Sequence, residues 1–401
     1  MNQIGETVSS VALPARNASL APAWDLLRAA SLADAKESDL GRIRGLLGQS
    51  AIDWEAVLRL ADNHGTSSLV YQNFSRLGGL IPASVLAGLR QRYETNVRKS
   101  LFLARELIRV LDSLDAPGID AIPYKGVVFS EVYYGDMTLR QPGDIDLFVR
   151  QRDVVGIKKA VRELGYKQRV PIPAGAEDDF IASGYEYSFD SSAGRGVLEI
   201  QWALQPRFYA VDFDMEELFE RAVWVTVAGR KVKAPCAEDL LLALSVHAAK
   251  HVWGRLIWLC DIAQILKRKR LNWDGVRRQA RNLGIERILY VTLLLAKRLS
   301  GAGIPWPVES AILADPAAAA LAEEVAASLA AEVSYDVETV GYFRLMMRLR
   351  ERRGDRFRFL ARLILTPGPG EWEKVSLPKV FSPLYRVVRL ARLAGRFARR
   401  S

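Results

Sequence analysis

Two aspartates one strand repeat apart, Asp144 and Asp146 in Gly143 to Arg150 (GDIDLFVR), constrain this chain more than any other feature. Alternate side chains of a strand share a face. Asp144, Asp146 and Phe148 therefore point one way, and Ile145, Leu147 and Val149 the other. The second set suits a core. The first set brings two carboxylates together, and repulsion disfavours ionising both unless a cation lies between them. Mg²⁺ suits such oxygen ligands and commonly arrives with substrate phosphates. Taken alone, the pattern fits a strand end with a solvated acidic face equally well.

The flanking sequence adds to it. Ile119 to Tyr124 is a short apolar run of strand type, broken by Lys125-Gly126. Val127 to Tyr134 carries apolar residues at helical spacing, and Gly135-Asp136 ends that helix. A later stretch, GVLEIQWAL (196–204), puts Val197, Glu199 and Gln201 on one strand face and Leu198, Ile200 and Trp202 on the other. A lone acid in an apolar strand is unusual, because burying a charge is costly. EYSFD (186–190) precedes it, and the two form a predicted hairpin.

A strand, a glycine turn, a short helix and an Asp-x-Asp strand resemble the DNA polymerase β-like nucleotidyltransferase superfamily. More narrowly, KGVVFSEVYYGD, Arg140 and GDIDLFV are similar to the uncharacterised nucleotidyltransferases, often found in bacterial polysaccharide and peptide-tailoring gene clusters. The matching positions are Lys125, Gly126, Tyr134, Arg140 and Asp144 to Val149. Glu199 and Trp202 match the pattern of the third acidic strand. Two positions depart: the turn reads Gly-Val where the superfamily prefers Gly-Ser or Gly-Gly, and Gln201 stands where the family has a histidine. A second matching block has His247, Lys250, His251, Trp253, Arg255, Leu256, Trp258, Leu259 and Asp261. The TPGPGEW stretch near the end also resembles the family's C-terminal segment.

The resemblance implies an Mg²⁺-dependent transferase of nucleoside monophosphates. Asp144, Asp146 and Glu199 would bind two Mg²⁺ ions, with Mn²⁺ as a substitute. Lys125, Gly126, Arg140, Lys250 and Arg255 would hold the NTP, with ATP the expected donor, and Gly126 would let backbone approach phosphate. The acceptor could be a small molecule such as a sugar phosphate, a peptide or protein, or an RNA. Phosphoryl transfer at the same site and a degenerate nucleotide sensor are the alternatives. His247 and His251 share a helical face, but Ala248 stands where a zinc hydrolase motif needs glutamate. The histidines and tryptophans of this block also read as packing residues, with Asp261 pairing Arg255.

The expected fold class is α+β: a small mixed β-sheet nucleotidyltransferase core flanked by N-terminal and C-terminal helical domains. With 401 residues, the chain divides into a flexible arm (1–20), an N-terminal helical domain (21–115), the catalytic core (116–235), a helical domain closing the nucleotide cleft (236–335) and a basic C-terminal helical segment (336–401). The N-terminal helices are expected to pack on the catalytic sheet. Asp53 reads as a helix N-cap, and His64-Gly65 as a helix end with a structural histidine. The Pro- and Gly-rich stretch 171–184 is expected to lie over the site, and residues 224–234 to form a small hairpin.

Neither a signal peptide nor a membrane span is read from the sequence. Cys236 and Cys260 give no metal or redox spacing and suit a reducing compartment. A cytoplasmic protein is expected, with a peripheral place on the inner membrane face as one alternative. Residues 341–401 hold 16 Lys or Arg and 4 Asp or Glu, a net of +12 where the whole chain is +10. Leu384, Val387, Val388, Leu390, Ala391, Ala394 and Phe397 form a predicted apolar stripe among arginines, able to meet an anionic membrane, a partner protein or RNA. Packing by the stripe with the arginines solvated is the simplest expectation.

Overall fold

The computed structural model describes residues 20–49, 51–172, 177–191, 196–333, 339–366 and 384–398. The arm expected over residues 1–20 and the TPGPGEW stretch lie almost wholly outside them.

Five helices come first: α1 (Ala21–Ala30), α2 (Glu37–Gln49), α3 (Trp54–Asn63), α4 (Ser67–Phe74) and the long α5 (Ala83–Asp115). Asp53 caps α3 as expected, accepting from the Ala56 amide at 3.0 Å. Among them α5 meets the sheet. Its second half lays Leu103, Leu107, Val110, Leu111 and Leu114 into the core beneath the strands. The first helix packs on α13 (Glu286–Ser300), so the region meets the sheet through α5.

The sheet has β1 (Ala121–Pro123), β2 (Ile145–Val149), β3 (Tyr166–Gln168), β4 (Glu186–Ser191) and β5 (Val197–Gln201), in the order β1-β2-β5-β4-β3. Only β2 and β5 pair in parallel, with Asp146 directly beside Glu199. The predicted hairpin is β4–β5. Ile145, Leu147, Val149, Leu198 and Ile200 face α5 and α7 (Val154–Glu163). Phe148 faces the other way, stacked on Tyr124 at 3.8 Å, within the core shared with the later helices. Every residue of β2 is buried, Asp146 included, and Asp144 just before it is half-buried, so the two carboxylates are not a fully solvated strand end.

Between β1 and β2, α6 (Gly126–Phe129) runs into a π-helical turn, Ser130–Tyr134, closed by Gly135 in the left-handed region. Part of the stretch expected over the site is a short helix, α8 (Glu177–Ser183). Phe180 on α8 is apolar and buries against Tyr187 and Trp202. Those rings belong to the core beneath the sheet, so α8 packs on the face away from the carboxylates. After α9 (Met215–Glu220) comes the predicted hairpin, β6 (Val223–Val227) and β7 (Arg230–Ala234).

Among the described residues, the elements that follow are helices: α10 (Ala237–Lys250), α11 (Leu256–Arg268), α12 (Trp273–Leu283), α13, α14 (Trp306–Leu313), α15 (Pro316–Ala330), α16 (Val340–Arg348), α17 (Arg353–Leu365) and α18 (Tyr385–Ala398). The fold is α+β with helices at both ends. One surface differs from expectation. Among the described residues of α18, Tyr385 and Arg389 are buried, while Val387 and Leu390, with Leu384 just before the helix, are exposed. Arg389 donates to the Leu363 carbonyl at 2.5 Å and lies over the Phe208 ring.

Candidate active site

The parallel pairing of β2 with β5 builds the centre of the site. Asp144 enters β2, Asp146 follows two residues on, and Glu199 is in register with Asp146. Their carboxylates lie within 4.8 Å of one another. Burial and the charge of Asp146 push Asp144 up to about 7. Burial, Asp146, Glu186 and Asp144 push Glu199 up to about 8. Oδ2 of Asp146 is buried without a hydrogen-bond partner. Three crowded carboxylates and an orphaned oxygen are what a divalent cation would satisfy.

The Lys-Gly turn supplies the first counter-charge. Lys125 Nζ donates to Asp146 Oδ1 at 3.2 Å and lies 4.6 Å from the centre of the Tyr124 ring. Burial alone would lower its pKa, but the charge of Asp146 holds it well above the ordinary lysine value. Gly126 has φ +58°, and a Cβ there would stand 3.1 Å from the Asp144 carbonyl oxygen. The glycine is thus needed to lay the turn against the start of β2. It is buried against that strand.

Around the carboxylates is a cavity of about 960 Å³. Lys125, Arg140, Lys250 and Arg255 all line it. Arg140 is buried, and its Nε donates to both Asp261 oxygens at 2.9 and 3.1 Å. Tyr134 donates to the same carboxylate at 2.9 Å. Asp261 therefore pairs with Arg140 and not with Arg255, which is exposed at the cavity wall. The loop carrying Arg140 makes this possible. Asp136 accepts from the Thr138 amide and hydroxyl, Asn96 of α5 donates to the Thr138 carbonyl, and the Arg140 amide donates to Ser130 Oγ.

Lys250 reaches the cavity from the end of α10. Its Nζ donates to the Tyr185 hydroxyl at 3.3 Å, and burial lowers its pKa. Tyr185 donates to Glu186, and Gln201 donates to Glu186 and Glu199 at 3.4 and 3.2 Å. Gln201 also accepts from Tyr124 at 2.8 Å. An amide can accept and donate at once, so Gln201 joins the turn to both glutamates without an imidazole. His247, His251 and Trp258 pack ring on ring at the cavity wall. Burial lowers both histidines, His251 to about 4, so they stand neutral.

His64 has the structural role expected of it. It is buried against Trp24, accepts from the Leu256 amide, and its carbonyl accepts from Ile257. Sequence reasoning missed Tyr185, Glu186 and three residues of α5, Arg92, Asn96 and Lys99, that also line the cavity. The α5 residues recur three and four apart, a polar stripe that helical spacing could have revealed.

The raised carboxyls make a stability prediction. Asp144 and Glu199 bind protons more tightly folded than unfolded, so stability falls as pH rises from the ordinary carboxylate range to about 8. Histidines held low act oppositely, but their contribution is complete above about pH 6.5. In chelator, the protein should lose about 2 kcal/mol between about pH 6.5 and pH 9, read by thermal melting. Added Mg²⁺ should remove the slope. A flat profile in chelator would contradict the crowding of these charges.

A family model described as uncharacterised nucleotidyltransferase matches residues 50–301. The match spans β2, β5, α10 and α11, and stops short of the C-terminal segment, so the resemblance read there is not part of it. No curated protein and no solved structure matches the chain. The chain belongs to the uncharacterised nucleotidyltransferase family.

Proposed function

We propose that this member of the uncharacterised nucleotidyltransferase family transfers a nucleoside monophosphate from an NTP, with ATP the first donor to try, to a hydroxyl or phosphate acceptor. The observation that carries the reading is the trio Asp144, Asp146 and Glu199 with the partnerless Asp146 Oδ2. These oxygens fit divalent metal, Mg²⁺ or Mn²⁺. Metal held there would lower the pKa of an acceptor hydroxyl and neutralise triphosphate charge.

The chain's own residues do the rest. In transfer, the acceptor oxygen bonds to the α-phosphorus, the bond to the bridging oxygen breaks, and pyrophosphate leaves. Negative charge develops on the leaving group and the non-bridging oxygens. Lys125, Arg140, Lys250 and Arg255 line the cavity where that charge would sit. Lys125 can exchange its bond to Asp146 for one to phosphate once the carboxylate has a cation. Lys250, shifted toward its neutral form by burial, would regain charge beside a phosphate. The cavity is large enough for a nucleotide and a small acceptor group.

Incubating the protein with each α-labelled NTP, Mg²⁺ and a cell extract tests this. Label should move to a metabolite or macromolecule with the native protein and not with Asp144→Ala/Asp146→Ala. In a parallel incubation with γ-labelled NTP, transfer of that label alone would instead make it a kinase. Nucleotide binding without any transfer would make it a sensor.

A further inference from the structure

The C-terminal helices present a surface that the nucleotidyltransferase reading does not use. On α17, Phe357 is 75% exposed, and Leu360 and Ile364 continue the same helical stripe at 39% and 42%. Just before α18 Leu384, and on it Val387 and Leu390, are exposed at 47%, 58% and 45%. The two helices pack together through Arg389 and the Leu363 carbonyl. An arginine thus occupies an inward position that an aliphatic residue would ordinarily take, and Leu384, Val387 and Leu390 face solvent. Exposed Arg352, Arg353 and Arg386 lie on or beside the same helices. The acids among the described residues of this segment, Glu351 and Asp355, accept from the Glu286 amide and from Arg358.

From this we infer that α17 and α18 dock the protein on an anionic lipid surface. Binding of this kind combines burial of an apolar face at the headgroup level with attraction of cations to anionic lipid, and both ingredients are here. A second copy fits poorly, because residues 341–401 carry a net charge of +12 and two such segments would repel each other. RNA would be held by the arginines alone and would leave the six apolar side chains without a role. Among the described residues no helix is long and apolar enough to cross a membrane, so the contact is at the surface. The docking helices are tied to the catalytic side of the molecule. Arg350, just before α17, donates to the Tyr209 and Gly284 carbonyls, and Tyr342 of α16 donates to the Lys250 carbonyl.

Flotation of the full-length protein with vesicles tests the inference without any need for catalysis. The protein should rise with vesicles of phosphatidylcholine mixed equally with phosphatidylglycerol, and not with phosphatidylcholine alone. Phe357→Ser/Leu360→Ser and Val387→Ser/Leu390→Ser replace exposed side chains, and each should weaken binding about tenfold or more. Arg386→Glu should weaken it on anionic vesicles, and added salt should mimic that effect. Asp146→Asn should bind like the native protein, so lost transfer and lost docking are separable. Three results would overturn the inference: no flotation with anionic vesicles, flotation unaffected by the serine variants, or a dimer in sedimentation that the serine variants dissociate.

Discussion

Asp146→Asn should leave a folded protein whose nucleotidyl transfer has fallen by about a thousandfold or more, roughly 4 kcal/mol of transition-state stabilisation. Asp146 sits between Lys125 and Glu199 near the start of β2, and its second oxygen is buried without a hydrogen-bond partner. Asparagine keeps the shape and one acceptor but removes the charge. Stability should move the other way. With one charge gone, Asp144 and Glu199 lose a large source of their upward push after burial, and the metal-free protein should melt higher. Mg²⁺-dependent turnover and thermal melting in chelator check the two halves separately. Native turnover in the variant would sink the metal assignment. A sharp drop in melting temperature would mean that Asp146 serves chiefly as the counter-ion of Lys125.

Why this residue could be found from sequence, and others could not, follows from the range of the interactions. Alternation within β2 is local, so the shared face of Asp144, Asp146 and Phe148 is legible from six residues. Glu199 stands out because an acid inside VLEIQ conflicts with strand burial. The parallel register that sets Glu199 beside Asp146 spans more than fifty residues, and no local pattern encodes it. The same limit hid the chain of hydrogen bonds from Gln201 through Glu186 and Tyr185 to Lys250. Each member is unremarked alone, and only the β4–β5 hairpin and α10 bring them together. In α18 the local pattern pointed the wrong way. Arg389 is long enough to reach the Leu363 carbonyl and lie over Phe208, so it buries where Val387 and Leu390 do not. Asp261 was seen as an ion-pair partner, but proximity in sequence favoured Arg255, whereas the fold chose Arg140 from the loop before β2.

That pair gives the second large effect. Asp261 is 1% exposed and Arg140 8%, and the carboxylate also accepts from Tyr134. Asp261→Ala would strand a buried guanidinium and a buried phenol, at a cost of about 3–5 kcal/mol. Urea unfolding should show this as a fall in midpoint with little change in slope. The single variant cannot say whether Arg140 also serves the substrate, because the folded population falls too. Arg140→Met/Asp261→Leu with Tyr134→Phe can. Replacing a buried ion pair and its hydrogen-bonding neighbour by apolar side chains of similar size is often close to neutral, so stability should return near the native value. If Arg140 neutralises phosphate in the cavity, turnover should stay at least about a hundredfold down in that stable variant. Recovery of both stability and turnover would make the Arg140–Asp261 pair a purely structural brace of the loop before β2. The remaining cavity cations, Lys125, Lys250 and Arg255, would then carry the charge of the triphosphate between them.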